Sequence, residues 1–278
     1  MQTIKLNNGV EMPILCYGVY LIEPDECERC VLDAISVGYR SIDTAQLYKN
    51  EEGVGKAVKK CGVPRPQLFI TTKVWLTNAG ETRAAASIDE SLRKLQTDYI
   101  DLLLIHQPYG DYYGTWRAME KALKAGKTRA IGLSNFYPDR FIDLADNVEI
   151  VPAVDQLRTN VFIQRHDSEA EMRNYDAKIM AWAPLDKAGD RLFNEPLLRV
   201  IADNHAKTIP QVALRYLIQR GIIAIPKSTH IERMRENIDI FDFSLTDAEM
   251  SALGKLDRPL DFSQSHYNPS EVRRIRNL

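Results

Sequence analysis

The sequence has few cysteines, no long apolar run and no excess of charge of either sign, and each absence removes a class of function. Four cysteines in 278 residues are too few for a disulfide scaffold. Cys27-Glu-Arg-Cys30 matches a CxxC pattern, but it stands in DECERCVLDAISVG, whose apolar spacing is helical, and no second ligand pair accompanies it. Packing is the reading this context favours over zinc or redox chemistry, and no metal site is expected. No stretch approaches the ~20 apolar residues that span a bilayer, and MQTIKLNNGVEMPIL offers no basic region followed by a long apolar run. A cytoplasmic location without a membrane partner is the expectation. With 36 basic against 38 acidic residues the formal net charge is −2, so no long-range field draws in nucleic acid, and any anion site must be local. No Gly/Ser-rich or Pro-rich linker divides the chain. The phosphate fingerprint GxGxxG follows no strand, because Gly53-Val-Gly55 falls inside a helical pattern.

What is present is a repeating unit. Short apolar or β-branched runs recur at Ile14 to Tyr20, Tyr39 to Asp43, Leu68 to Val74, Ile100 to His106, Arg129 to Ser134, Val151 to Gln156, Lys178 to Ala183 and Ile222 to Pro226. Runs such as IDLLLIH and GIIAIP are continuously apolar, as strands of a parallel sheet covered on both faces are. Between them lie amphipathic helices, among them Glu81 to Gln96 and Thr208 to Arg220, with Pro210 in a first turn where it is tolerated. Eight strands spaced by βα units predict one α/β domain over residues 1–278, a (β/α)8 TIM barrel, in preference to a doubly wound open sheet. The arginine-rich segment after Asp257 reads as a short, polar surface extension. No subunit interface is legible, and a monomer is expected.

In such a barrel chemistry sits at the C-terminal strand ends. Asp43 closes YRSID, Lys73 closes LFITTK and His106 closes IDLLLIH, at separations of 30 and 33 residues, one repeat each. Tyr48 lies in the loop just after Asp43. Singly, each has a packing or capping explanation, though a lysine after the apolar run LFITT must be paired or neutralised if buried. Together they suit carbonyl reduction. Hydride addition leaves negative charge on oxygen, and a proton must arrive as that charge grows. A phenol, with an ordinary pKa of about 10, can supply it, and a neighbouring ammonium is expected to lower that value. Asp43 would pair with Lys73 and compensate its burial, while a neutral His106 would orient the carbonyl. Two other classes fit parts of the set. Lys73 could be a Schiff-base aldolase nucleophile, revealed by borohydride trapping, or the chain could be a non-catalytic nucleotide-sensing module.

The segments GYRSIDTAQLYKNEEGVG, LFITTKVW and DYIDLLLIHQP resemble the Asp-Tyr-Lys-His tetrad segments of the aldo-keto reductases, and the similarity runs from GVEMP to IPKSTHIERMREN. The resemblance implies that Tyr48 is the general acid, that Lys73 and Asp43 tune it, and that His106 positions a small-molecule carbonyl substrate. Smaller prokaryotic relatives such as the 2,5-diketogluconate reductases suggest sugar-derived or α-dicarbonyl substrates by analogy.

IPKSTHIERMREN places Lys227 and Arg233 around a helix start with the hydroxyls of Ser228 and Thr229, a phosphate site or equally a solvated basic helix end. The resemblance implies the first: Lys227, Ser228, Thr229 and Arg233 on the 2′-phosphate of NADP(H), with Glu236 and Asn237 on the adenine. It likewise implies Ser134, Asn135 and Gln156 on the nicotinamide carboxamide and Trp182 stacked on the ring, followed by Ala183, Pro184 and Leu185. Gly18, Val19 and Tyr20 would border cofactor and substrate. Tyr20, Trp75, His106 and Tyr109 would line the substrate pocket. Three residues depart from the family pattern: Lys49 stands for a glycine after the tyrosine, Asp155 for the asparagine before Gln156, and Asp186 for a glycine in the loop after Trp182.

Overall fold

The computed structural model describes residues 2–278. Its first elements, β1 (Thr3–Lys5) and β2 (Glu11–Pro13), form an antiparallel hairpin. Eight parallel strands follow: β3 (Tyr17–Gly18), β4 (Ser41–Asp43), β5 (Phe69–Val74), β6 (Ile100–Ile105), β7 (Thr128–Ser134), β8 (Val154–Arg158), β9 (Lys178–Trp182) and β10 (Ile223–Ile225). Each pairs with its neighbours in sequence order. The parallel bridge between Leu15 and Ala224, with Cys16 N–H donating to the Ala224 carbonyl at 2.8 Å, joins the first strand region to the last and closes the barrel.

Helices α1 (Pro24–Ser36), α2 (Glu51–Lys60), α3 (Glu81–Leu95), α4 (Tyr112–Lys124), α5 (Pro138–Ala145) and α6 (His166–Arg173) cross back between strands. After β9 come α7 (Asp190–Phe193), α8 (Pro196–Asn204) and α9 (Ile209–Gln219), and after β10 come α10 (Ile231–Ile238), α11 (Asp247–Gly254) and α12 (Pro269–Arg276). Local chemistry fixes the ends read from the sequence. Gln96, left-handed at φ 54°, terminates α3, while Thr208 and Gln211 form a reciprocal capping box at the start of α9 with Pro in the first turn. Gly53 and Gly55, poor choices inside a helix, let α2 approach its neighbours: a Cβ on Gly55 would lie 2.4 Å from the Lys94 carbonyl oxygen. Cys27 and Cys30 are buried in the core on α1.

The hairpin covers the face of the barrel opposite the tetrad. Asn8 donates to the Arg129 carbonyl at the start of β7, and Asn7 to the Pro152 carbonyl just before β8. The C-terminal strand ends are thereby left as the open mouth. No helix among the described residues is long and apolar enough to cross a membrane.

The segment after Asp257 is more than a surface extension. It makes a turn at Phe262–Gln264, buries Ser265, and continues into α12, which Asn268 caps and Ile275 anchors. On the way it folds back onto the loop that follows His106. Composition concealed this because the groups that tie it to that loop, the His266 imidazole and carbonyl, are polar.

Candidate active site

Asp43 ends β4, Lys73 is the penultimate residue of β5 and His106 immediately follows β6, so the pairing register of these adjacent strands brings them over one mouth. Lys73 is fully buried. Its Nζ donates to Asp43 Oδ1 at 2.6 Å, to the Thr44 carbonyl at 2.8 Å and to Tyr48 Oη at 3.4 Å. The Tyr48 ring packs against Tyr20, centroid to centroid 4.9 Å, and lies edge-on to His106 at 5.6 Å. Trp75 closes the other side of His106 at 4.9 Å. The four groups expected to converge do so.

The electrostatics differ from expectation at Tyr48. Burial, Asp43 and Tyr20 raise its phenol well above the ordinary value, and this outweighs the ammonium 3.4 Å away. Desolvation of a phenolate at the bottom of an aromatic cage dominates, so the hydroxyl is protonated throughout the neutral range. Burial also lowers the Lys73 ammonium below the usual lysine range, with Asp43 compensating only in part. His106 is pushed well below its ordinary value by burial, by Lys73 and by His266, which keeps the imidazole neutral. Its Nδ1 is buried without a hydrogen-bond partner among the described residues.

The residues expected around the nicotinamide join the same network. Gln156 Nε2 donates to the second oxygen of Asp43 at 2.7 Å, and Ser134 Oγ to the Gln156 carbonyl at 3.1 Å. Asn135, left-handed at φ 66°, donates to Ser134 Oγ and to the His106 carbonyl, and accepts from Trp182 Nε1 at 3.0 Å. Lys73, Asp43, Gln156, Ser134, Asn135 and Trp182 thus form one continuous hydrogen-bonded chain. Past Trp182, Ala183 is left-handed at φ 50°, its carbonyl accepting from Asn160, and Pro184 and Leu185 lead into the loop.

The first-strand segment bridges this network to the basic helix start. Val19 N–H donates to the Asp43 carbonyl, and Gly18 N–H to the Pro226 carbonyl. A side chain at Gly18 would press on Ile225 at 3.0 Å. Beyond Pro226, Lys227 and Arg233 are exposed and form no ion pair among the described residues, while Ser228 is turned into the chain, hydrogen-bonded to His230. Thr229 lies between them, half-buried. Asn237 is buried, and the Glu236 carboxylate accepts from Thr208 Oγ1 at 2.5 Å. Free cations at the start of α10 fit a phosphate group.

Of the expected pocket residues, Tyr20 stands half out of the mouth, and Trp75 and His106 face the tetrad. Tyr109 instead stacks on His266 and donates to its carbonyl at 3.0 Å.

The departures have physical readings. Lys49 is left-handed at φ 57°, so glycine would suit the position and lysine costs about 1 kcal/mol there. Asp186 begins three successive left-handed residues and pairs with Arg158 at 3.3 Å and Arg191 at 2.7 Å. Asp155 points away from Gln156 and is fully buried, and neither oxygen finds a side-chain hydrogen-bond partner among the described residues. Burial raises its carboxyl well above the ordinary value, against smaller pulls from the Phe136 amide and Arg165.

A raised carboxyl favours the folded state at low pH and loses that advantage as pH rises toward the folded-state value. Asp155→Asn, which removes the ionisation, is therefore expected to raise stability by about 1–3 kcal/mol at pH 7. The gain should vanish as pH falls below the ordinary aspartate range. Urea unfolding at the two pH values checks this; equal stability of both proteins at pH 7 would contradict it.

Two supporting residues were not singled out from the sequence. Gln46 Oε1 accepts from the Trp75 backbone, and Asn50, fully buried, ties Thr44 to the Val19 and Ile22 carbonyls. Their signal was their place beside Tyr48 in QLYKN, where polar residues able to hold a loop flank the phenol.

The model of the Aldo/keto reductase family matches residues 17–258. The chain is 45% identical over 259 residues to the glyoxal reductase of Bacillus subtilis, covering 92% of this chain and 93% of that protein. To the methylglyoxal reductase DkgA of Yersinia pestis it is 40% identical over 257 residues, covering 91% and 92%. Among solved structures, a Bombyx mori aldo-keto reductase in complex with NADP superposes with a TM-score of 0.88 at 34% identity, covering 96% of this chain and 98% of that one.

Proposed function

Because this chain belongs to the Aldo/keto reductase family, we propose that it reduces a small aldehyde or ketone to the alcohol, with hydride from NADPH and a proton from Tyr48. The observation that carries the reading is the continuous chain from Lys73 through Asp43 and Gln156 to Ser134, Asn135 and Trp182, which ties the four tetrad groups to the side chains expected around a nicotinamide. NADPH, when bound, supplies the hydride. The residues of this chain do the rest. Tyr48 donates its hydroxyl proton to the carbonyl oxygen as charge develops there, and the Lys73 ammonium, held by Asp43 and the Thr44 carbonyl, stabilises the phenolate left behind. Neutral His106 donates a hydrogen bond to the same oxygen, and Tyr20 and Trp75 supply apolar walls.

The glyoxal and methylglyoxal reductases among the relatives support small α-dicarbonyls as substrates. The test is to incubate purified protein with NADPH and a panel of glyoxal, methylglyoxal and simple aldehydes. Substrate-dependent loss of NADPH absorbance supports the reading; no oxidation with any carbonyl would overturn it.

The free cations at the start of α10 support a preference for the phosphorylated cofactor. Arg233→Ala is expected to weaken NADPH binding by about 10- to 100-fold while leaving NADH binding unchanged. Fluorescence titration with both nucleotides measures this, and equal affinity of the unaltered protein for the two would remove the phosphate assignment.

A further inference from the structure

The loop leaving the catalytic strand end is Gln107, Pro108, Tyr109 and Gly110, and one residue of the C-terminal segment holds it at two points, one through its side chain and one through its backbone carbonyl. His266 Nε2 lies 2.8 Å from Gln107 Oε1, and the His266 carbonyl accepts from Tyr109 Oη at 3.0 Å. The imidazole also stacks on the Tyr109 ring, 6.0 Å between centroids at 21°, and meets the Tyr137 ring edge-on at 5.5 Å. Gln107 adjoins His106, whose carbonyl is fixed from the other side by Asn135. Burial pushes the His266 imidazole down to about 4, opposed by Glu271 and reinforced by Arg165 and Arg274, so at neutral pH it has one N–H. With Gln107 Oε1 accepting, that proton sits on Nε2. The segment thus meets the loop through a directional hydrogen bond to Gln107 in addition to the ring contact with Tyr109.

Resting on the carbonyl-reductase reading above, we infer that His266 is a positioning residue that acts through Gln107 to hold His106 where it can direct the substrate carbonyl. A wall of the pocket would govern how well substrate binds; a positioning residue governs how well bound substrate reacts. The two are separable.

The test is steady-state kinetics with NADPH and methylglyoxal on the unaltered protein, His266→Ala and His266→Gln, together with NADPH titration and thermal melting of each. His266→Ala is expected to lower kcat on the order of tenfold or more, as small misplacements of a reacting geometry do. KM, NADPH affinity and Tm should change little. His266→Gln, whose amide N–H can again donate to Gln107 Oε1, should recover most of the loss. An unchanged kcat, a loss confined to KM, or a loss that tracks NADPH affinity and Tm without rescue by glutamine would overturn the inference. An unaltered protein with no turnover would instead overturn the carbonyl-reductase reading beneath it.

Discussion

Tyr48→Phe is expected to lower kcat for carbonyl reduction by about 10²–10⁴-fold, the range in which a positioned general acid contributes. NADPH affinity should stay close to that of the unaltered protein. The selectivity follows from the geometry. The ring contacts to Tyr20 and His106 are retained by phenylalanine, and the only group lost is the hydroxyl 3.4 Å from Lys73 Nζ. Burial keeps that hydroxyl protonated through the neutral range, so a loss at pH 7 reports the missing proton and not a change in ionisation. Stopped-flow NADPH oxidation alongside fluorescence titration separates the two quantities. Activity within a few-fold of the unaltered enzyme would mean the proton comes from elsewhere.

Lys73→Met should be the most damaging single change to the fold as well as to turnover. It leaves the Asp43 carboxylate buried with Gln156 as its remaining side-chain partner, and removing one member of a buried ion pair costs about 3–5 kcal/mol. At about 2–4 °C per kcal/mol for a chain near this size, the fall in Tm is on the order of 10 °C. The double change Lys73→Met/Asp43→Asn should be less destabilising than Lys73→Met alone, because no uncompensated charge remains. Calorimetry of the three proteins checks the order. A double variant that melts below the single one would contradict the account of Asp43 as an otherwise unpaired charge.

The barrel and its tetrad were legible because both depend on period. Apolar runs recurring once per βα unit gave the strands, and the spacing of Asp43, Lys73 and His106 by whole units put them on one face without further information. Features outside the period were not legible. His266 is a lone histidine in a polar segment, and nothing in its neighbours announces that it reaches back to Gln107 across 159 positions. The direction of the Tyr48 shift failed for a related reason. The repeat spacing placed the Lys73 ammonium beside Tyr48, whereas the outcome depends on how much solvent burial excludes from the phenol. In VDQ, strand alternation separates Asp155 from Gln156, but only the packed structure shows that Gln156 meets Asp43 and Asp155 meets no side-chain partner among the described residues.

The central claim is that Asp43, Tyr48, Lys73 and His106 surround a carbonyl that receives hydride on carbon and a proton on oxygen. NADPH deuterated at both positions of nicotinamide C4, incubated with methylglyoxal and the purified protein, should yield an alcohol with one deuterium on the former carbonyl carbon. The hydroxyl hydrogen should come from solvent exchange through Tyr48. Oxidation of the cofactor without deuterium in the product, or an alcohol formed with deuterium absent from that carbon, would contradict it.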